Sequence, residues 1–494
     1  MTAGMASSGQ GRQAVGASGD IMGEWHRRGV LALGAAALAT GPARAQVAAP
    51  ATLEVAIEQV RQMMENANVP GAGIAVVHEG QILAATGLGV ASLPFQAPAE
   101  ATTLFHLGSV SKQLTAALVL ELVEAGAISL DDPVGRHARN LPASFAAVPI
   151  RNLLSHTSGM PDYEGLPGFE SDRYIGREAF LSGAAAMPMD FAPGEAWAYS
   201  NTGYVLLGYL LADVTGRSYK TLATERLFQP AGLPSARVDD ASAIIPGRAE
   251  PYVLDEGSVR HAVRMDADYS GWPDGGILMS ARDVAQWELA LQSGPTPGRS
   301  TVKALTDPAI IGTGRSVAYG AGWFTDVVAG RAVQYHSGSV PGFLTFAWRA
   351  PATRTAVTVM VNLESGPAAR FMREACLTLA EAVAPGSTPL AFLPIVDDAP
   401  ELTAQTFALF GRGDAPLTAD RYAPEISRLI GGRALSAMPP NFGADPTGFS
   451  WALVERHDEP NGQVRRYRLS RNGVSRHYSV AYASDGRIYR VRSL

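Results

Sequence analysis

The sequence predicts an α+β fold: one antiparallel sheet built from both ends of a large domain, a mainly helical lobe between them, and a small second α+β domain after it. Three observations predict it. Apolar residues at helical spacing (Leu53, Ile57, Val60, Met64) open the region. Apolar strand-like runs stand at 73–78 and 81–85, and runs rich in β-branched and aromatic residues at 343–349 and 355–362, with loops and helical patterns between the two ends. Four alternating segments, divided by Asn461-Gly462, Asn472-Gly473 and Asp485-Gly486, close the chain.

In order, residues 1–45 read as an export segment. Arg27-Arg28 precede an apolar run at 30–39, and Pro42-Ala43-Arg44-Ala45 offers an Ala-x-Ala cleavage pattern before Gln46. It resembles a twin-arginine secretory signal, though His26 and the missing downstream lysine make the match partial. The run is shorter than the roughly 20 residues of a spanning helix, so a periplasmic or secreted protein without a transmembrane span in the mature chain is expected. Translation from Met1 or from Met22 stays open.

The first domain is expected over 46–385. A helix over 53–66 leads into strands at 73–78 and 81–85 that flank the turn Glu79-Gly80. A helix over 110–124, apolar on most sides, is suited to burial. Helical runs follow between 177 and 214 and at 281–291, then strands at 343–349 and 355–362 and a helix at 368–383. Pro385-Gly386-Ser387-Thr388-Pro389 and Asp397-Asp398-Ala399-Pro400 make 386–400 a linker. The accessory domain, 401–494, combines helices at 401–411 and 418–430 with strands at 449–457, 463–470, 474–483 and 487–492.

Composition narrows the function classes. With 494 residues, 47% of them hydrophobic, the chain can bury large cores. A net charge of −6 gives no basic footprint for nucleic acid. Cys376 is the single cysteine, which rules out an intrachain disulfide, and it falls in an apolar helical run, where it reads as a small buried hydrophobe. No Cys/His cluster or His-Glu-x-x-His is present, so neither metal nor cofactor is expected.

The chemistry centres on Gly108-Ser109-Val110-Ser111-Lys112. Ser109 and Lys112, three apart, share one face of a helix, and Ser109 sits where free N–H groups favour an anionic oxygen. Lysine occurs only at positions 112, 220 and 303, with arginine elsewhere. Arginine holds its proton, whereas a buried lysine can release one. The pattern recurs at Ser300-Thr301-Val302-Lys303, which reads as a surface helix start. Two further polar clusters are Tyr199-Ser200-Asn201, on a turn between helices, and His336-Ser337-Gly338-Ser339, between strand-like 332–335 and Phe343. Each has a plainer reading alone: Ser109 as an N-cap, Tyr199 and Asn201 as an ordinary turn, His336 as packing. His156 reads as structural, bonded within its loop. Trp272, Trp287, Trp323 and Trp348 read as core or cleft wall.

Taken together, Ser109-x-x-Lys112, Tyr199-x-Asn201 and His336-x-Gly338 resemble the penicillin-recognising serine hydrolases, the branch of class C β-lactamases, D-alanyl-D-alanine carboxypeptidases, D-aminopeptidases and related esterases. Leu153-Leu154-Ser155-His156-Thr157-Ser158-Gly159 and the stretch 275–283 resemble them too, and the likeness covers about 53–383. It implies a β-lactamase-like sheet flanked by helices. Ser109 would be the nucleophile, Lys112 its proton shuttle, and Tyr199 a general base and acid whose phenol the Lys112 ammonium lowers. Asn201 would hold the substrate amide. The backbone N–H groups of Ser109 and Ser339 would form the oxyanion hole. Where class C enzymes carry Lys-Thr-Gly, this chain has His336-Ser337-Gly338, which resembles the peptidases; His336 would anchor a substrate carboxylate more weakly above its pKa of about 6.5.

A peptidase acting on short peptides is therefore expected. An esterase of small acyl esters, a weak β-lactamase and a penicillin-binding sensor without turnover are the alternatives. The accessory domain resembles cystatin-like or nuclear-transport-factor-like appendages, which leaves cleft shaping and homo-oligomer formation both open.

Overall fold

The computed structural model describes residues 53–294, 296–411, 419–426, 450–471 and 474–494. The export segment and the turn at Asn472-Gly473 lie outside them. Of the helix expected over 418–430, Ala419–Arg421 form a 3₁₀ turn, and 427–430 lie outside the described residues.

The fold is α+β. Seven strands form its main sheet: β1 (Gly71–His78), β2 (Gln81–Ser92), β3 (Ala97–Pro98), β4 (Phe324–Val328), β5 (Arg331–Val340), β6 (Phe343–Ala350) and β7 (Thr355–Val361). They lie in the order β3-β2-β1-β7-β6-β5-β4, each antiparallel to its neighbours. The two ends of the region meet where β1 pairs with β7, Ala72 opposite Val361 and Val77 opposite Ala356. Alternation along β1 splits its side chains between two cores. Ile74 and Val76 pack with helices Leu53–Asn66 and Gly366–Val383, while Ala75 and Val77 face the core around helix Lys112–Glu124. Cys376 lies fully buried in the first core, its thiol bonded to the Val357 carbonyl at 3.3 Å.

Helix Lys112–Glu124 is buried at every position from 112 to 120, as its all-round apolar sequence requires. Its expected first turn differs: Gly108–Ser111 is 3₁₀, so residues three apart are eclipsed along it. The region between the two ends of the sheet contains helices Arg177–Ala186, Asn201–Thr215, Ala281–Ser293 and Arg299–Thr306, of which Ala281–Ser293 packs against β1 and β2. As expected, the helices between 177 and 214 are separated by a turn: Pro188, Pro193 and Gly194 lie in the loop that carries Tyr199. Two small three-stranded sheets were not legible in the sequence, because their strands run for only two to four residues. The site motif at His336–Ser339 lies within continuous β5 instead of between two strands.

At the C-terminal end, β8 (Ser450–Glu459), β9 (Gly462–Arg471), β10 (Val474–Ala483) and β11 (Ile488–Ser493) form an antiparallel sheet in chain order, with Tyr467, Val480, Tyr482 and Ile488 in its core. It covers the β4 edge: Arg466 pairs with Asp326 at 3.1 Å and donates to the Val327 carbonyl at 2.8 Å. Asn461 and Arg490 donate to the carbonyls of Gly314 and Ser316. Among the described residues no helix is long and apolar enough to cross a membrane.

Candidate active site

Ser109 stands half-buried on the 3₁₀ turn, where the chain presses against β5. Gly108 has φ +53°, and a Cβ there would lie 2.6 Å from the Ser339 nitrogen. A Cβ on Gly338 would lie 2.0 Å from the Leu107 oxygen and 3.0 Å from the Ser109 nitrogen. Only glycine at both positions permits this approach. His106 fixes the turn from behind: its Nδ1 accepts from the Gly108 N–H at 3.2 Å, and burial pushes its pKa down to about 4.

Lys112 has no solvent exposure, and its three Nζ donors are all placed: on Ser109 Oγ at 3.1 Å, Asn201 Oδ1 at 2.7 Å and the Asp274 carbonyl at 2.7 Å. Burial pushes its pKa down to about 8, against the attraction of Asp274, Asp162 and Glu164. The duplicate pattern behaves differently. Ser300 Oγ donates to Glu124 at 2.6 Å, and Lys303 pairs with Asp307 at an exposed helix, a surface start as expected.

Tyr199 brings its ring beneath the ammonium, with Lys112 Nζ 4.9 Å from the ring centre. Its hydroxyl is buried without a hydrogen-bond partner. Burial holds the phenol well above its usual pKa. This corrects the expectation that Lys112 lowers it: the cation sits over the ring face, where it meets the π-system. His156, with φ +58°, stacks on Tyr199 at 4.2 Å and accepts from the Ser200 N–H at 3.2 Å. It is structural, but it ties its loop to the Tyr199 loop.

Asn201 begins helix Asn201–Thr215 with both ends of its amide engaged. Oδ1 accepts from Lys112, and Nδ2 donates to Asp162 and Glu164, each at 3.2 Å. As it stands, the side chain holds Lys112 and offers no free amide group to a substrate. His336 also differs from expectation. Its Nδ1 donates to the Ser337 carbonyl at 2.6 Å, so Nε2 accepts from Tyr319 at 3.0 Å. Burial, then the charge of Lys112, push its pKa down to about 3, so the ring is neutral and supplies no charge to a carboxylate.

All seven residues singled out from the sequence, Ser109, Lys112, Tyr199, Asn201, His336, Gly338 and Ser339, meet in one place. Sequence reasoning missed Asp162, Glu164, Asp274 and Tyr319. Burial raises the pKa of all three carboxyls, that of Glu164 well above the usual range. The signal available was Asp162-Tyr163-Glu164 in a Pro/Gly-rich loop, but nothing in its spacing points to Lys112. Trp287, Trp323 and Trp348 are core residues, as expected.

The family model Beta-lactamase matches residues 56–380. Penicillin-binding protein 4* of Bacillus subtilis is 29% identical over 303 residues, 58% of this chain and 66% of that protein. A D-aminopeptidase of Gluconobacter oxydans is 30% identical over 302 residues, 59% of this chain and 56% of its own. The chain thus spans less than two thirds of either relative. Among solved structures, a penicillin-binding protein from Bacillus halodurans superposes with TM-score 0.56 at 26% identity, covering 64% of this chain and 97% of that one. A D-amino acid amidase from Ochrobactrum anthropi, complexed with L-phenylalanine amide, gives TM-score 0.59 at 25% identity over 67% of this chain and 98% of its own. The matched span contains every residue gathered around Lys112, and the chain belongs to the β-lactamase family of penicillin-recognising serine hydrolases.

Proposed function

We propose that the chain is an exported serine hydrolase that forms an acyl-enzyme on Ser109 and cleaves amide bonds in short peptides. The observation that carries this reading is Lys112: buried, 3.1 Å from Ser109 Oγ, with its pKa brought down to about 8. Neutral Lys112 takes the proton as Ser109 Oγ attacks the scissile carbonyl. The N–H groups of Ser109 and Ser339 receive the oxyanion. The Tyr199 phenol, kept neutral by burial, donates its proton to the leaving nitrogen and regains one from Lys112. Water repeats the sequence on the acyl-enzyme. Export rests on the arginine pair, apolar run and cleavage pattern within residues 1–45.

The charges favour a substrate with a free amino end. Neutral His336 gives no cation for a carboxylate, whereas Glu164 and Asp162 lie one Asn201 amide away from Lys112. A substrate ammonium beside Glu164 would draw that carboxyl back to its ionised form. The D-aminopeptidase among the relatives supports the same substrate class.

The test offers wild type and Ser109→Ala a panel of aminoacyl peptides, their N-acetylated forms, chromogenic esters and a cephalosporin. Wild type should hydrolyse the free-amine peptides best and Ser109→Ala none. Equal hydrolysis by both proteins would overturn the nucleophile. Equal rates on N-acetylated peptides would overturn the amine preference, and a stable cephalosporin adduct without any turnover would replace the hydrolase with a sensor.

A further inference from the structure

The C-terminal sheet touches the catalytic surroundings through an arginine of unusual placement. Its neighbours are ordinary: Arg466 pairs with Asp326 and Glu455, and Arg490 with Glu459. Arg492, on β11, has no carboxylate within ion-pairing distance among the described residues. Its guanidinium lies 4.1 Å from the centre of the Trp197 ring and 5.3 Å from that of Phe324. It donates to the carbonyls of Val317 and Val491 at 3.3 and 3.2 Å, and its Nε is buried without a partner. A desolvated cation held by ring faces and carbonyls is costly unless those contacts are well kept.

The rings under Arg492 lead directly to the site. Trp197 stands two residues before Tyr199, its ring 6.2 Å from both His156 and Tyr319. His156 stacks on Tyr199 at 4.2 Å. Phe324 lies 4.8 Å from Tyr319 and 5.1 Å from His336, and Tyr319 bonds His336 Nε2. The loop that carries Trp197 and Tyr199 is tied to His156 by two hydrogen bonds, Ala198 N–H to its carbonyl at 3.0 Å and Ser200 N–H to its ring at 3.2 Å. Arg492 caps the outer face of this aromatic cluster.

We infer that Arg492 is a positioning residue for the Ser109 reaction: by clamping Trp197 and Phe324 it holds Tyr199 and His336 in place, which makes the C-terminal sheet a working part of the catalytic apparatus. The inference rests on Ser109 being the nucleophile. Loss of the guanidinium opens the Trp197 face and frees the Tyr199 loop, and a misplacement of about 1 Å in a catalytic group can cost 10²-fold in rate.

The experiment measures kcat and KM for p-nitrophenyl acetate, with thermal melting, on the full chain. Arg492→Met should lower kcat about tenfold or more with little change in KM, and Arg492→Lys, which keeps a cation on the ring, should recover much of it. Trp197→Leu attacks the same contact from the other side, so the double variant should lose no more than the worse single one. Glu459→Gln, which removes the partner of Arg490 on the same strand, is the packing control and should lower the melting temperature while leaving kcat unchanged. Wild-type kcat in Arg492→Met, additive losses in the double variant, or an equal kcat loss in Glu459→Gln would each overturn the inference. Should Arg492→Met not fold, Trp197→Leu and Arg492→Lys carry the test. If wild type and Ser109→Ala turn over the ester equally, the hydrolase reading itself has failed, a result distinct from any of these.

Discussion

Replacing Gly338 by alanine probes whether the turn at Ser109 and strand β5 act as one rigid oxyanion-binding unit. The new Cβ would stand 2.0 Å from the Leu107 oxygen. Carbon–oxygen contacts settle near 3.3 Å, so the two backbones must part by about 1.3 Å. That separation lies between Ser109 and Ser339, whose N–H groups have to converge on one oxygen. Losing one such donor costs about 10²–10³ in kcat, or about 2.7–4 kcal/mol of transition-state stabilisation. The assay is kcat and KM for ester and peptide, with a cooperative melt to establish folding. Gly366→Ala is the control, since a Cβ there meets nothing within 4 Å. A folded Gly338→Ala protein with kcat within threefold of wild type would show that the turn and β5 do not act as one rigid oxyanion-binding unit.

Other consequences are as direct. Because the neutral form of Lys112 is the competent one and its pKa is about 8, kcat/KM should rise as pH increases through about 8; a profile flat from pH 7 to 9 would contradict this. Glu288 and Arg349 form a buried ion pair at 2.6 Å whose arginine also reaches Gln113, the residue after Lys112, so Glu288→Ala should cost about 3–5 kcal/mol in urea unfolding. A cost under about 1 kcal/mol would mean that the pair is dispensable. Burial pushes the Cys376 thiol well above its usual pKa, so a thiol reagent should label it only on unfolding; rapid native labelling would show the Gly366–Val383 helix to be loosely packed.

Much of this was legible in the chain itself. Strands β1, β6 and β7 announce themselves by β-branched runs, and helix Leu53–Asn66 by the apolar spacing of Leu53, Ile57, Val60 and Met64, of which Val60 and Met64 are buried. Ser109 and Lys112 were readable because a three-residue spacing fixes their relation locally. What escaped reading is what tertiary structure brings together. Asp162, Glu164 and Asp274 converge on Lys112 only after the helical lobe has folded over the sheet. The charge states of Tyr199 and His336 follow from burial, which no local pattern records. Arg492 looks like any alternating strand residue until Trp197 is found beneath it.

The most direct measurement is intact-mass spectrometry with peptide mapping on protein quenched during turnover of a chromogenic ester. It compares wild type, Lys112→Arg and Ser300→Ala. An acyl group is expected on Ser109 in wild type and in Ser300→Ala, and almost none in Lys112→Arg, because arginine keeps the positive charge but cannot release the proton. An acyl group mapped to any other residue, or Lys112→Arg acylating at close to the wild-type rate, would rule out Ser109 as a nucleophile served by Lys112.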